Sequence, residues 1–108
     1  LSGQRRTQSR YDVEIDASVR IEGDEEGQQA SVTVANLSLG GCFLNYDERL
    51  PINRRVEVTF RVPTHEKPIS VGGTVRWSAD GGAGVQFDGL RAGEVWSLNK
   101  YFERLRDE

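Results

Sequence analysis

The chain has 108 residues, 36% of them hydrophobic, with a formal net charge of −3. This suffices for one domain with one core and not for two, and the slight acidity argues against a long nucleic acid as partner. A lone cysteine excludes an internal disulfide and points to a reducing cytoplasm, while no apolar run approaches the roughly 20 residues that span a bilayer, so neither membrane insertion nor a leader segment is expected.

Residues 1–11 carry Arg5, Arg6 and Arg10 with no acid before Asp12, and read as a flexible basic arm. Guanidinium groups are planar, always charged and able to hold phosphate oxygens or a guanine O6/N7 edge through two parallel hydrogen bonds. The rest of the chain, 12–108, reads as the folded body. Val13, Ile15, Ala17, Val19 and Ile21 alternate with polar residues, which predicts a long half-buried strand. Gly23-Asp24-Glu25-Glu26-Gly27 interrupts it as a solvated hairpin loop. No metal role falls to its acids, since nothing else supplies converging ligands. Alternation resumes at Ala30, Val32 and Val34 and runs into Asn36-Leu37-Ser38-Leu39-Gly40-Gly41. At a period of two, Asn36 and Ser38 share one polar face and the leucines the other. Gly40-Gly41 is expected to turn with positive φ and to let another molecule approach where a Cβ would block it.

Cys42-Phe43-Leu44 predicts a short strand that buries Cys42 as a small hydrophobe. Residues 47–53 form a connection marked by Pro51, and Val56, Val58, Phe60 and Val62 alternate as a further strand. Pro63 to Pro68 reads as a surface turn holding the only histidine, His65, expected to be exposed and inert. Ile69, Val71, Val75 and Trp77 predict a strand with a β-bulge at Gly72-Gly73. Asp80-Gly81-Gly82-Ala83-Gly84 leads into another strand, Val85-Gln86-Phe87, so it reads as a hairpin and not as a phosphate loop, which would open a helix. From about 91 to 106 the period becomes helical: Val95, Leu98, Phe102 and Leu105 fall at spacings of three and four, with Tyr101 beside them. Six strands with one apolar face each predict a mainly β fold, a closed or nearly closed antiparallel barrel whose open end the helix caps. No nucleophile and base pair, paired acids or metal set emerges, so no catalytic residue is assigned.

Arg6-x-x-x-Arg10 followed by Asn36-x-Ser38-x-x-Gly41 resembles the paired signature of the PilZ domain, a bacterial receptor module for cyclic di-GMP. The segments Gly73-Thr74-Val75-Arg76-Trp77 and Gly82-Ala83-Gly84-Val85-Gln86-Phe87, with the closing helix, are similar to that family as well. The resemblance implies a six-stranded split barrel with a C-terminal helix, a cytoplasmic receptor without a cofactor beyond its ligand, and a binding site made of Arg5, Arg6, Arg10, Asn36, Ser38, Gly40 and Gly41. In it, Arg6 and Arg10 would grip phosphate and the guanine edge, Asn36 and Ser38 would bond the base, and Gly41 would leave room. Asn36 stands where the family uses Asp or Asn and lacks the charge of a carboxylate. Arg5 sits where an arginine accompanies two stacked ligand molecules. Binding would order the arm and signal to an attached domain or a downstream protein in motility, biofilm, exopolysaccharide or development. The alternative is a PilZ-like interaction module in pilus or motility assembly that binds no nucleotide.

Overall fold

In the computed structural model of the chain, residues 10–23, 29–47 and 50–107 are described. The strands are β1 (Tyr11–Ile21), β2 (Gln29–Leu37), β3 (Gly41–Asn45), β4 (Arg55–Phe60), β5 (Ile69–Ala79) and β6 (Gly82–Phe87), followed by α1 (Ala92–Asp107). Every pairing is antiparallel, and the order β1-β2-β3-β6-β5-β4 closes into a barrel. Hairpins join only some neighbours. Two seams unite strands distant in sequence, β1 with β4 (Val19 opposite Val58) and β3 with β6 (Cys42 opposite Val85).

The alternation read from the sequence places the core. Val34, Leu44, Val56, Val58, Ile69 and Val75 are all fully buried, and each such side chain contributes about 1.5–3 kcal/mol relative to exposure. Cys42 lies among them. Its burial pushes the thiol up to about 12, against a smaller downward pull from the Arg10 guanidinium, so at neutral pH it stays a protonated packing group. Helix α1 starts where the Glu94 carboxylate accepts the Arg91 backbone N–H at 2.9 Å, covering a donor that the first turn leaves open. It buries Leu98 and Phe102 against the barrel. The Tyr11 ring stacks on Phe102 at 4.3 Å and 12°, and Arg106 Nη1 donates to the Tyr11 hydroxyl at 2.5 Å. Tyr11 therefore belongs to the barrel and not to the arm in which the sequence reading placed it. No described helix is long and apolar enough to cross a membrane.

Three local expectations are corrected. The bulge in β5 is not at Gly72-Gly73: Ile69, Val71, Gly73 and Val75 are buried in unbroken alternation. Gly73 keeps phase because a Cβ there would lie 2.6 Å from the Gln86 carbonyl oxygen, so a glycine fills an inward position where a side chain has no room. The register shift against β6 falls between Val75 and Trp77. The extra residue, Arg76, turns Trp77 to the outer surface, where it is 53% exposed and lies beside Phe43.

His65 is the second correction. It is half-buried, not exposed, because its turn docks on α1: Nδ1 is 2.7 Å from Ser97 Oγ, and Thr64 Oγ1 donates to the Ser97 carbonyl at 2.6 Å. The third concerns the stretch 36–41. The chain leaves the extended conformation after Leu37, so the period of two ends there. Leu37 and Ser38 are both buried in succession and Leu39 is half-buried, and the shared polar face of Asn36 and Ser38 does not form. Gly40 and Gly41 do not have positive φ either; among the described glycines that is found at Gly23 and Gly81. Gly81, at φ 86°, makes the Asp80-Gly81 hairpin turn between β5 and β6, as expected for that segment.

Candidate functional site

The turn between β2 and β3 is built around one hydroxyl. Ser38 Oγ accepts the backbone N–H groups of Gly40 and Gly41, each at 3.2 Å, and donates to the Gly41 carbonyl at 3.3 Å. The Ser38 N–H adds a bond to the same carbonyl at 2.9 Å. With two bonds accepted and one donated, the hydroxyl has no capacity left. Its work is internal: it shapes the turn. Gly41 is the second fixed point. A Cβ at this position would lie 2.2 Å from the Val85 carbonyl oxygen, so what approaches closely here is strand β6. At the far end of that contact the Phe87 N–H donates to the Gly40 carbonyl at 2.8 Å, tying the turn to the exit of β6.

Arg10 reaches this turn from the foot of β1. Its Nη1 donates to Asn36 Oδ1 at 3.0 Å. The geometry follows from the ladder, since Asp12 pairs with Asn36, and a register shift between Val34 and Asn36 on the β3 side marks an extra residue, Ala35, just before Asn36. Bulges re-aim side chains beside sites. Of the residues singled out from sequence, the structure thus brings together Arg10, Asn36, Ser38, Gly40 and Gly41, while Arg5 and Arg6 lie outside the described residues.

Beneath the turn runs an open groove of about 810 Å³, lined by Arg10 and residues 38–41 on one side and by Arg76, Trp77, Gly84, Gln86 and Asp88 from the outer face of β5 and β6 and the β6 exit. The sequence reading gave these last residues no binding role. Alternation along β6 marked Gln86 as outward, but which outward residues face the turn depends on the β3–β6 seam and on the bulge at Arg76, and neither is visible locally. Arg76 Nε donates to Gln86 Oε1 at 2.8 Å. Asp88 receives both Arg55 amino groups, Nη1 to Oδ1 at 2.7 Å and Nη2 to Oδ2 at 2.5 Å, and Arg55 Nη1 also donates to Thr74 Oγ1 at 3.0 Å. The Arg55 hydrogen bonds hold the Asp88 carboxyl below its usual range, and Asp88 raises Arg55 in return. Chemically, the groove offers permanent cations, an exposed indole face and a fixed anion, with no group of three metal-ligating side chains among the described residues.

Ser38→Ala tests the internal role of the hydroxyl. The two glycine N–H groups would lose their buried acceptor, a cost of about 1–3 kcal/mol, and the unfolding midpoint should drop by about 4–8 °C per kcal/mol. Affinity for a groove ligand should fall less than for loss of an arginine. An unchanged melting temperature with lost affinity would place the hydroxyl on a ligand instead.

The sequence model of the PilZ domain matches residues 4–104. No match was found among curated proteins. Among solved structures, the inhibitor of motility MotI/DgrA of Bacillus subtilis superposes with a TM-score of 0.78 at 19% identity, over 97% of this chain and 53% of that one. The chain therefore spans about half the length of that protein. The PilZ domain of CeSA from a cellulose-synthesizing bacterium superposes with a TM-score of 0.65 at 13% identity, over 88% of this chain and 96% of that one. At these identities the likeness is one of fold.

Proposed function

Because this chain belongs to the PilZ domain family, we propose that it is a receptor for cyclic di-GMP, held in the groove beneath the 38–41 turn, and that it performs no catalysis. The observation that carries the reading is the meeting of Arg10 and Asn36 beside that turn at the edge of a groove of about 810 Å³, within the usual size of small-molecule sites. Cyclic di-GMP presents two phosphate charges and two guanines. Arg10 and Arg76 suit the phosphates and the O6/N7 edge of a base, and the exposed face of Trp77 suits stacking. Asn36, by accepting one Arg10 N–H, orients the guanidinium and leaves its other donors for the ligand. Arg5 and Arg6, carried by the same arm, would add further contacts, and Arg5 a second stacked ligand molecule.

The ligand's arrival would draw the arm onto the barrel and change the surface shown to an attached domain or a downstream protein. Motility control and exopolysaccharide synthesis are the outputs that the similar proteins suggest. A second reading, an interaction module without a nucleotide, draws on Trp96, which α1 leaves 62% exposed, since an exposed indole suits protein contacts. Isothermal titration with cyclic di-GMP, beside GTP and cyclic GMP, separates the two. Saturable binding of the cyclic dinucleotide alone is the expected outcome, and its stoichiometry measures the part played by Arg5. Silence at high micromolar concentration would leave the interaction module.

A further inference from the structure

Outward side chains are scarce on β6. Ala83, Val85 and Phe87 are buried in the core, so positions 82, 84 and 86 face outward, and the first two of these are glycine. Gln86 is therefore the one side chain that β6 sets on the outer face along the groove. It pairs with Gly41 on one flank and Thr74 on the other, and its Oε1 accepts Arg76 Nε–H at 2.8 Å.

Arg76 is the extra residue of the β5 bulge, without a ladder partner on β6, and it is exposed. A free arginine samples many rotamers, and fixing one when a ligand arrives lowers affinity. The bond to Gln86 fixes it beforehand. It also selects which donors are on offer. A guanidinium holds paired acceptors either along the side made by Nε and one Nη or across the end made by Nη1 and Nη2. Gln86 occupies Nε and closes the side, whereas the Nη groups have no partner among the described residues. The end fork remains for a ligand. The neutral chemistry of the partner points the same way. The neighbouring Arg55 is held by the Asp88 carboxylate, which cancels its charge. Arg76 and Arg10 are held by the amides of Gln86 and Asn36, which orient a cation and leave its charge available to an anion.

Resting on the cyclic di-GMP reading, we propose that Gln86 is a positioning residue: it holds Arg76 so that the paired Nη donors meet two acceptors of the bound nucleotide, two phosphate oxygens or the O6/N7 pair of a guanine.

The test is a double-mutant cycle: calorimetric titration of the wild type, Gln86→Met, Arg76→Ala and the double variant with cyclic di-GMP, beside a melting curve for each. Methionine keeps the length of glutamine and removes the acceptor. Gln86→Met should weaken binding about fivefold with the melting midpoint in place, since both side chains are exposed. Arg76→Ala should weaken it about thirtyfold. Once Arg76 is gone, Gln86→Met should change nothing further. A loss of the same size in both backgrounds would mean that Gln86 does not act through Arg76, and it overturns the proposal. Unchanged affinity in Gln86→Met or in Arg76→Ala overturns it too; all three results leave the receptor reading standing on Arg10. A wild type that binds no cyclic di-GMP overturns both. Should a variant fail to fold, the wild type decides by nuclear magnetic resonance. The Arg76 Nε–H of the ligand-free protein should exchange with water more slowly than that of a free arginine, and an equal rate overturns the proposal.

Discussion

Arg10→Ala is expected to weaken binding of cyclic di-GMP by about thirtyfold or more while leaving the thermal unfolding midpoint in place. The two halves of this expectation have separate causes. Arg10 is exposed, and its side-chain bond to Asn36 is a surface contact between polar groups that water replaces at little cost, so folding loses well under about 1 kcal/mol. Binding loses a charge-assisted contact to a dianion, about 2 kcal/mol or more, and with it the residue that links the arm to the turn. That amounts to about thirtyfold in affinity, with a further loss where Arg5 and Arg6 depend on the same anchor. Calorimetry beside a melting curve checks both halves. Unchanged affinity would remove Arg10 from the site; a lowered melting temperature would show that its bond to Asn36 serves the barrel.

Gly41→Ala should produce the opposite pattern, a loss of fold that takes binding with it. The family resemblance makes this glycine a space left for ligand. In the structure the space is already used, because an added Cβ would lie 2.2 Å from the Val85 carbonyl oxygen. Neither atom is the far end of a flexible side chain. Relief requires β3 and β6 to separate where Gly41 pairs with Gln86 and Phe87 is bonded to Gly40, at a cost of about 3 kcal/mol or more, in the range of overpacked and strained core sites. For a domain of this size the midpoint should fall by about 12 °C or more. A variant that melts like the wild type but does not bind would return Gly41 to the ligand.

The strands and the helix were legible because their burial is periodic. Val56, Val58 and Phe60 show one face of a strand and Leu98, Phe102 and Leu105 one face of a helix, and the structure uses both as such. Arg10 stood out as one of three arginines with no acid before Asp12, and Asn36 and Ser38 as polar residues alternating with leucines. What Ser38 does could not be read in the same way, since a period of two is informative only while the chain stays extended, and it stops at Leu37. Arg76, Trp77, Gln86 and Asp88 escaped notice as groove residues for a different reason. They join it through pairing across the barrel and through a one-residue bulge, and pairing between distant strands leaves no mark in a local pattern. The half-burial of His65 leaves no mark in the local sequence because its partner, Ser97, belongs to an element that docks only in the finished fold.

The β3–β6 seam also sets when the site exists. Hairpins form early and cheaply, whereas a pairing between strands so far apart in the chain waits for the closure of a long loop. The turn that faces the groove hangs on β3, and the opposite wall is β6 with its neighbour β5, so the pocket is among the last features to assemble and the first to vanish when the seam parts. A form in which the β3–β6 seam is open lacks it. A ligand held across such a seam acts as a clasp: it lowers the population of every opening that separates the two walls by a factor set by one plus its concentration over Kd, and occupancy should be legible in slowed amide exchange along Gly41–Asn45 and Gly82–Phe87.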